Sequence, residues 1–489
     1  MNTTPDYIVI GAGSSGCVVV NRLSANPSAR VLLIEAGDSG ESDPAVTTPG
    51  RWTSLIGSQY DWNYATEPEP ALAQRRMPTP RGRVFGGSSA INAMVHTRGD
   101  RRCFDAWRAL GNPGWAYEDL LPLFKRSEES LAVSRCRDPH ASHEAFLAAA
   151  AEQGFRVDVQ HDFNVADPAG VAGFYQRNIL NGRRHSAAAA FLVPAMSRPN
   201  VEVYSRTRVT RLLIETGRAV GVEFVRDGNH KRERVLATRE VVLCAGAIES
   251  PRLLMLSGIG GAEHLRAHGV GVVADLPGVG RNLQDHLKLS VRWKGRATLP
   301  GSTVTAGLFI SSNGSAVPDL QFYVGRGVDQ PDPLVSLTVS LVQPQSRGSV
   351  TLRSADPFAS PEIRANYLQA DADVAALIAG MRLTRQFGNS RAYDDVRTEE
   401  VEPGAAVTTD RDLEAFIRAN AATIYHLAGT CRMGPDSDAA AVVDAGLRVR
   451  GIEALRVADA SIMPEVVNAP THAACVAIGE KCADLISGR

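Results

Sequence analysis

Charge of one sign is missing from this chain of 489 residues. Its 52 Lys and Arg stand against 53 Asp and Glu, a formal net charge of −1. No long-range field therefore draws it to nucleic acid or to an anionic membrane. Cysteine is sparse: Cys17, Cys103, Cys136, Cys244, Cys431, Cys475 and Cys482 are odd in number and contain no CxxC pair. That argues against a disulfide framework and a metal site, and fits a reducing compartment. Long hydrophobic runs are absent too, none approaching the roughly 18 apolar residues of a membrane span. The opening MNTTPDYIVIGAG has no basic leader and runs straight into a strand the fold needs, so a soluble, cytoplasmic protein is expected. With 44% apolar and 21% charged residues the chain can bury a large core. Its length predicts two domains.

What is there begins with YIVIGAGSSGCVVVNRLSANPSARVLLIEAG, Tyr7 to Gly37. Tyr7–Ile10 reads as a buried parallel strand. Gly11, Gly13 and Gly16 follow as GxGxxG. The first permits a sharp turn, the second close approach of a pyrophosphate, and the third tight packing of helix on strand. A helix from about Ser15 to Ser24 points its positive end at the phosphates. A second strand ends at Glu35, 19 residues beyond Gly16, where a carboxylate accepts from a ribose diol. Strand, helix and acid together predict a site for an ADP-ribose unit, and Glu35 disfavours a 2′-phosphate. NAD and FAD stay open at this point.

Further on, residues 38–80 read as loops and 102–154 as helices. Residues 201–243 alternate as strands. In GAIESPRLLMLSGIG the spacing predicts a helix capped by Ser250, with Pro251 in its first turn and Gly258 at its end. Strand-like SVRWKG, DLQFYVG and LVSLTVSLVQPQ and a helix near Ala372–Phe387 fill 290–415. The C-terminus returns to a strand, ALRVADA, and a last helix.

Four blocks in this order resemble the glucose–methanol–choline (GMC) flavoprotein oxidoreductases: the GxGxxG unit with Glu35; PRGRVFGGSSAINAMV; GAIESPRLLMLSGIG with LPGVGRNLQDH; and YHLAGTCRMG with LRVADASIMP and NAPTHAACVAIGEKCADLI. The resemblance implies an α/β fold, with a Rossmann-like FAD-binding domain interleaved with a smaller α+β substrate domain on an antiparallel sheet. The expected division gives 1–155 (with a loop excursion over 38–100), 196–289 and 416–489 to the FAD domain. It gives 156–195 and 290–415 to the substrate domain. FAD contacts are expected at Gly11, Gly13, Ser14, Ser15, Gly16, Glu35 and Ala36. Others are expected at Gly87, Ser88, Asn92, Ala93, Met94 and Val95, at Val209 beside the adenine, and at Asp459 and Ala460. Where some relatives carry a flavin-linking histidine this sequence has Ile91, so the FAD is expected to be non-covalent.

Among eleven histidines, His426 in YHLAGTC matches the family's active-site histidine. It is expected to accept the hydroxyl proton while hydride passes to flavin N5. The position opposite it is Pro470 by gapless counting from the last helix, which puts His472 beside the flavin's pyrimidine edge. A local insertion would bring His472 or Asn468 there instead. A proline at that place resembles the pyridoxine-oxidising members of the family. Cys431 is expected to pack, His286 to be structural, and RGDRR (Arg98–Arg102) to be a solvated turn. Phe309, Phe322, Tyr323 and Trp62 are candidates for an aromatic-tolerant pocket.

The expected function is FAD-dependent oxidation of a primary alcohol to an aldehyde, heteroaromatic pyridoxine-like alcohols leading, with electrons passed to O₂ or a quinone-type acceptor. No acidic cluster awaits a quaternary ammonium. Alternatives are a GMC-fold hydroxynitrile lyase, a light-driven fatty-acid decarboxylase and, from another class, a non-catalytic dinucleotide-binding protein.

Overall fold

The computed structural model describes residues 4–135, 139–229, 231–296, 305–325 and 333–488; Cys136 lies outside them. Tyr7–Ile10 and Val31–Ile34 are buried along their whole length, as unalternating aliphatic runs must be when both sheet faces are covered. With Val201–Tyr204, Glu240–Leu243 and Leu455–Val457 they form a five-stranded parallel sheet with Tyr7–Ile10 at its centre. The first helix runs Ser14–Leu23, one residue earlier than expected at each end.

The last helix, His472–Ser487, lies against it. The contact is close: a Cβ on Gly479 would lie 2.7 Å from the Ser15 carbonyl oxygen. Glu480 is fully buried there and pairs with Arg22 and Arg126, each at 2.7 Å. The two ends of the sequence thus pack together into one unit around the parallel sheet.

A second, mainly antiparallel sheet of eight strands is built around Leu287–Gly295, Ala306–Ile310, Leu320–Gly325 and Leu334–Leu341. It also takes Val171–Phe174 from earlier in the chain and Ala422–Thr423 from later. Leu287, Leu289, Val291 and Trp293 alternate onto its buried face. There the helix Asp371–Gly388 packs so tightly that a Cβ on Gly388 would meet the Trp293 ring at 2.2 Å. Lys288, Ser290 and Arg292, the intervening residues, face the other way. The whole is the α/β architecture expected, with chain segments alternating between the two sheets.

One element differs from the sequence reading. The helix expected to start at Ser250 starts at Gly246 and runs to Leu256, with Pro251 inside it. Pro251 lacks the N–H that would bond the Ala247 carbonyl. The Thr430 hydroxyl donates to that carbonyl instead, at 2.6 Å. A distant side chain therefore rescues a helix that local signals would break.

Candidate active site

A cavity of about 520 Å³ lies between the carboxyl ends of the parallel strands and the polar face of the antiparallel sheet. At one end Gly11, Gly13, Ser14, Ser15, Glu35, Ala36 and Val209 line it. Gly11 has φ +97°, and a Cβ there would lie 2.6 Å from the Cys244 carbonyl oxygen, so only glycine fits. Glu35 is buried and accepts from the backbone N–H of Ala12 (2.7 Å) and Gly37 (2.8 Å). Burial pushes its carboxyl pKa up. Gly16 does not reach the cavity. A Cβ there would sit 2.0 Å from the Gly11 carbonyl oxygen, so it acts by letting the helix close on the turn rather than by touching a ligand.

Gly87, Ser88, Asn92, Ala93, Met94 and Val95 form the next stretch of wall. Gly87 lies directly on the first turn, where a Cβ would approach Gly13 Cα to 2.8 Å. Met94 takes φ +61°, an uncommon conformation for its residue type. The stretch is held by Arg184, which sequence reasoning missed. Its buried guanidinium donates to the carbonyls of Val46, Ser89 and Asn92 and to Asn92 Oδ1 at 2.7–3.2 Å. Burial lowers its pKa to about 9. Asp459, also buried, accepts from Ser250 Oγ (2.6 Å) and from the N–H of Gly246 and Ser461 (2.8 Å each), beside Ala460 on the wall.

His472 begins the last helix and lines the cavity, with Nδ1 2.9 Å from Ser14 Oγ. Burial lowers its pKa to about 3. Its Nε2 is buried with no protein partner, a polar atom left for a guest. Pro470 lines the cavity as well. Asn468 does not: it accepts from Asp100 N–H and donates to the Pro318 carbonyl, buried in the fold.

At the far end stands His426. Its N–H donates to Asp285 (2.7 Å), a buried carboxylate that also holds the His286 N–H, the Thr423 hydroxyl and the Tyr367 hydroxyl. Tyr425, just before it, takes φ +70°, with Arg81 donating to its carbonyl. The His426 ring meets His286, Nδ1 to Nδ1 at 2.9 Å, with ring planes 84° apart. Two Nδ1 atoms in contact share a single proton. Burial first, then His286 and Arg81, hold the His426 pKa well below the usual imidazole value, and burial holds His286 at about 3. Burial thus favours the uncharged form of both rings, and the contact occupies Nδ1 of each, while His426 also lines the cavity. The sequence placed His286 in a block but held no sign of its distance from a residue 140 positions away.

Other candidates are placed elsewhere. Phe309 packs with Phe163 and Tyr175, and Phe322 with Phe387 on the buried face of the sheet, so neither lines the cavity. Tyr323 and Trp62 do line it, Trp62 beneath the guanidiniums of Arg83 and Arg208. Cys431 is fully buried and its thiol pKa is pushed far up, as packing requires. RGDRR is no solvated turn. Asp100 is fully buried, Arg98 pairs with Glu128, and Arg102 pairs with Asp100 and Asp167. Among the described residues no cluster of His, Cys, Asp and Glu could hold a metal ion, and no helix is long and apolar enough to cross a membrane.

Comparison with known proteins finds a matching family and fold. Family models described as GMC oxidoreductase match residues 5–288 and 344–479. The chain is 39% identical to the mitochondrial choline dehydrogenase of Mus musculus, covering 99% of this chain and 89% of that one. It is also 39% identical to the oxygen-dependent choline dehydrogenase of Sinorhizobium fredii, covering 99% and 96%. Among solved structures, pyridoxine 4-oxidase from Mesorbium loti superposes with a TM-score of 0.92 at 33% identity, covering 99% of each chain. Formate oxidase superposes at 0.90 with 25% identity, again over 99% of each.

Proposed function

The chain belongs to the GMC oxidoreductases, FAD enzymes acting on alcohols, and from that premise we propose that it oxidises a primary alcohol to an aldehyde with His426 as proton acceptor. The residues present fit FAD: a glycine cradle ending at a buried carboxylate, the unpartnered His472 Nε2, and a cavity running from Glu35 to His426. Bound there, FAD supplies the hydride acceptor that no side chain can be.

The protein's part is to bind, orient and move one proton. In our reading Gly11, Gly13, Ser14, Ser15, Glu35, Ala36 and Val209 hold the adenosine diphosphate half. Gly87, Ser88, Asn92–Val95, Asp459, Ala460 and His472 hold the remainder. Ile91 at the cavity wall offers no nucleophile, which supports non-covalent attachment. His426 carries its own proton on Nδ1, donated to His286 Nδ1, and so presents a lone pair at Nε2 to the carbinol hydroxyl. Pro470 shapes the opposite wall without adding a donor. Buried free thiols at the six described cysteines support a reducing, cytoplasmic compartment. The electron acceptor is O₂ or a quinone-type compound.

The observation that supports the reading is the buried His426, held at Nδ1 by His286 and lining the cavity. Pro470 on the wall, with the likeness to pyridoxine 4-oxidase, supports a heteroaromatic alcohol. The test is anaerobic stopped-flow against an alcohol panel, watching the visible flavin band, with peroxide detection in air. His426→Ala should keep its FAD and slow reduction by about 10²–10⁴-fold. A rate within a few-fold of wild type removes the role. A hydroxynitrile lyase would leave the band unbleached by every alcohol.

A further inference from the structure

The polar face of the antiparallel sheet carries a charge that nothing among the described residues answers. Lys288, Ser290 and Arg292 occupy alternate positions of Leu287–Gly295 and all three line the cavity. Ser336 and Thr338 on the neighbouring strand stand opposite Arg292 and Ser290, and Ser290 Oγ lies 2.9 Å from Thr338 Oγ1. The Arg292 guanidinium is paired with Glu402. The Lys288 ammonium has neither an ion pair nor a hydrogen bond among the described residues, and the nearest charge acting on it is the like charge of Arg292. Desolvation and that neighbour lower its pKa, as happens to a covered cation without a counter-ion.

The acidic side chains that line the cavity among the described residues are all engaged elsewhere. Glu35 braces the first turn, Asp459 caps Ser461, and Glu249 pairs with Arg252 and accepts from Tyr64. Lys288 pairs in register with Ala422 and lies two residues from His286, the residue that touches His426. Two residues of strand span about 7 Å, and Lys288 and His426 line the same cavity, so one guest can meet both.

We propose that Lys288 receives an anionic oxygen group of the alcohol substrate, a carboxylate-class anion, with Ser290 and Thr338 as neighbouring donors. The enzyme then selects hydroxy acids over quaternary-ammonium alcohols, although curated relatives are named for choline. This rests on the alcohol-oxidation reading and specifies its substrate class.

The test uses the FAD-loaded enzyme and two readouts. In the first, butanoate, butan-1-ol and trimethylpropylammonium are titrated by calorimetry. Butanoate should bind about 10–100-fold more tightly than the other two, the range of one charge-assisted contact. Lys288→Gln should abolish the difference, Lys288→Arg should keep most of it, and Lys288→Glu should reverse it toward the cation. The FAD-to-protein ratio shows that each variant is folded.

In the second, 4-hydroxybutanoate, butane-1,4-diol and choline are compared for anaerobic bleaching of the flavin band. Equal binding of the three probes by wild type, or an unchanged preference in both the Gln and Glu variants, overturns the proposal. Choline bleaching the flavin as fast as 4-hydroxybutanoate overturns it too and leaves alcohol oxidation standing. Lys288-dependent butanoate binding with no bleaching by any alcohol supports the anion site and removes the oxidation reading instead.

Discussion

His286→Leu isolates the contact on which the proposed proton acceptor depends. His286 is completely buried and does not line the cavity, so its replacement leaves the FAD contacts untouched and the FAD content should not change. What disappears is the 2.9 Å contact between the two Nδ1 atoms. His426 Nδ1 is then a buried polar atom without a partner, which costs about 1–3 kcal/mol. Turning the ring or moving its proton to Nε2 relieves part of that cost, and either one withdraws the Nε2 lone pair from the hydroxyl. At 1.36 kcal/mol per tenfold, productive orientation falls by about 5–150-fold. Anaerobic stopped-flow at saturating alcohol reads that loss directly. The double variant with His426→Ala should be no slower than His426→Ala alone, because the two residues act as one unit. Reduction within threefold of wild type, or losses that multiply in the double variant, would refute the positioning role.

Three further outcomes follow from the same geometry. The second-order rate of flavin reduction should stay level from pH 8 down through 6.5. In the proposed mechanism His426 acts as the neutral base, and its depressed pKa means that form is lost only as pH falls well below 6.5; an acid limb centred at or above 6.5 contradicts this. Glu35→Gln keeps the shape but removes the charge from a carboxylate accepting two backbone N–H groups, so FAD retention on a desalting column should drop by at least tenfold. Gly479→Ala would place a methyl 2.7 Å from the Ser15 carbonyl oxygen and force the last helix off the first. A loss of about 1–3 kcal/mol in urea unfolding is expected, and an unchanged midpoint would show that the helices have room to separate.

Much of this protein is local, and that part was legible. GxGxxG, the helix behind it and Glu35 lie within 30 residues, and each works by backbone geometry that a short sequence dictates. The same holds for the long helices, whose predicted and observed ends differ by one residue at Asp371–Gly388. The helix at Gly246–Leu256 was misread at its start because Thr430, far along the chain, supplies what Pro251 lacks. Arg184 was invisible because its partners are backbone carbonyls brought in from two other segments.

The substrate half shows the division most clearly. Alternation along Leu287–Gly295 tells that one set of side chains is buried and the other is not. It does not tell what each face meets. The helix Asp371–Gly388 covers the apolar set, and Lys288 is thereby turned into the cavity, while Phe322, two strands away in the same sheet, is turned away from it. His286 and His426 meet because the strand after one and the short strand before the other pair side by side. The sequence alone determined the dinucleotide motif and the family, since each block is a short run whose residues lie near one another in the chain and the blocks keep their order along it. Only the tertiary structure decided which charges and which nitrogen face the reacting group, because a strand's two faces are equivalent until something packs on one of them.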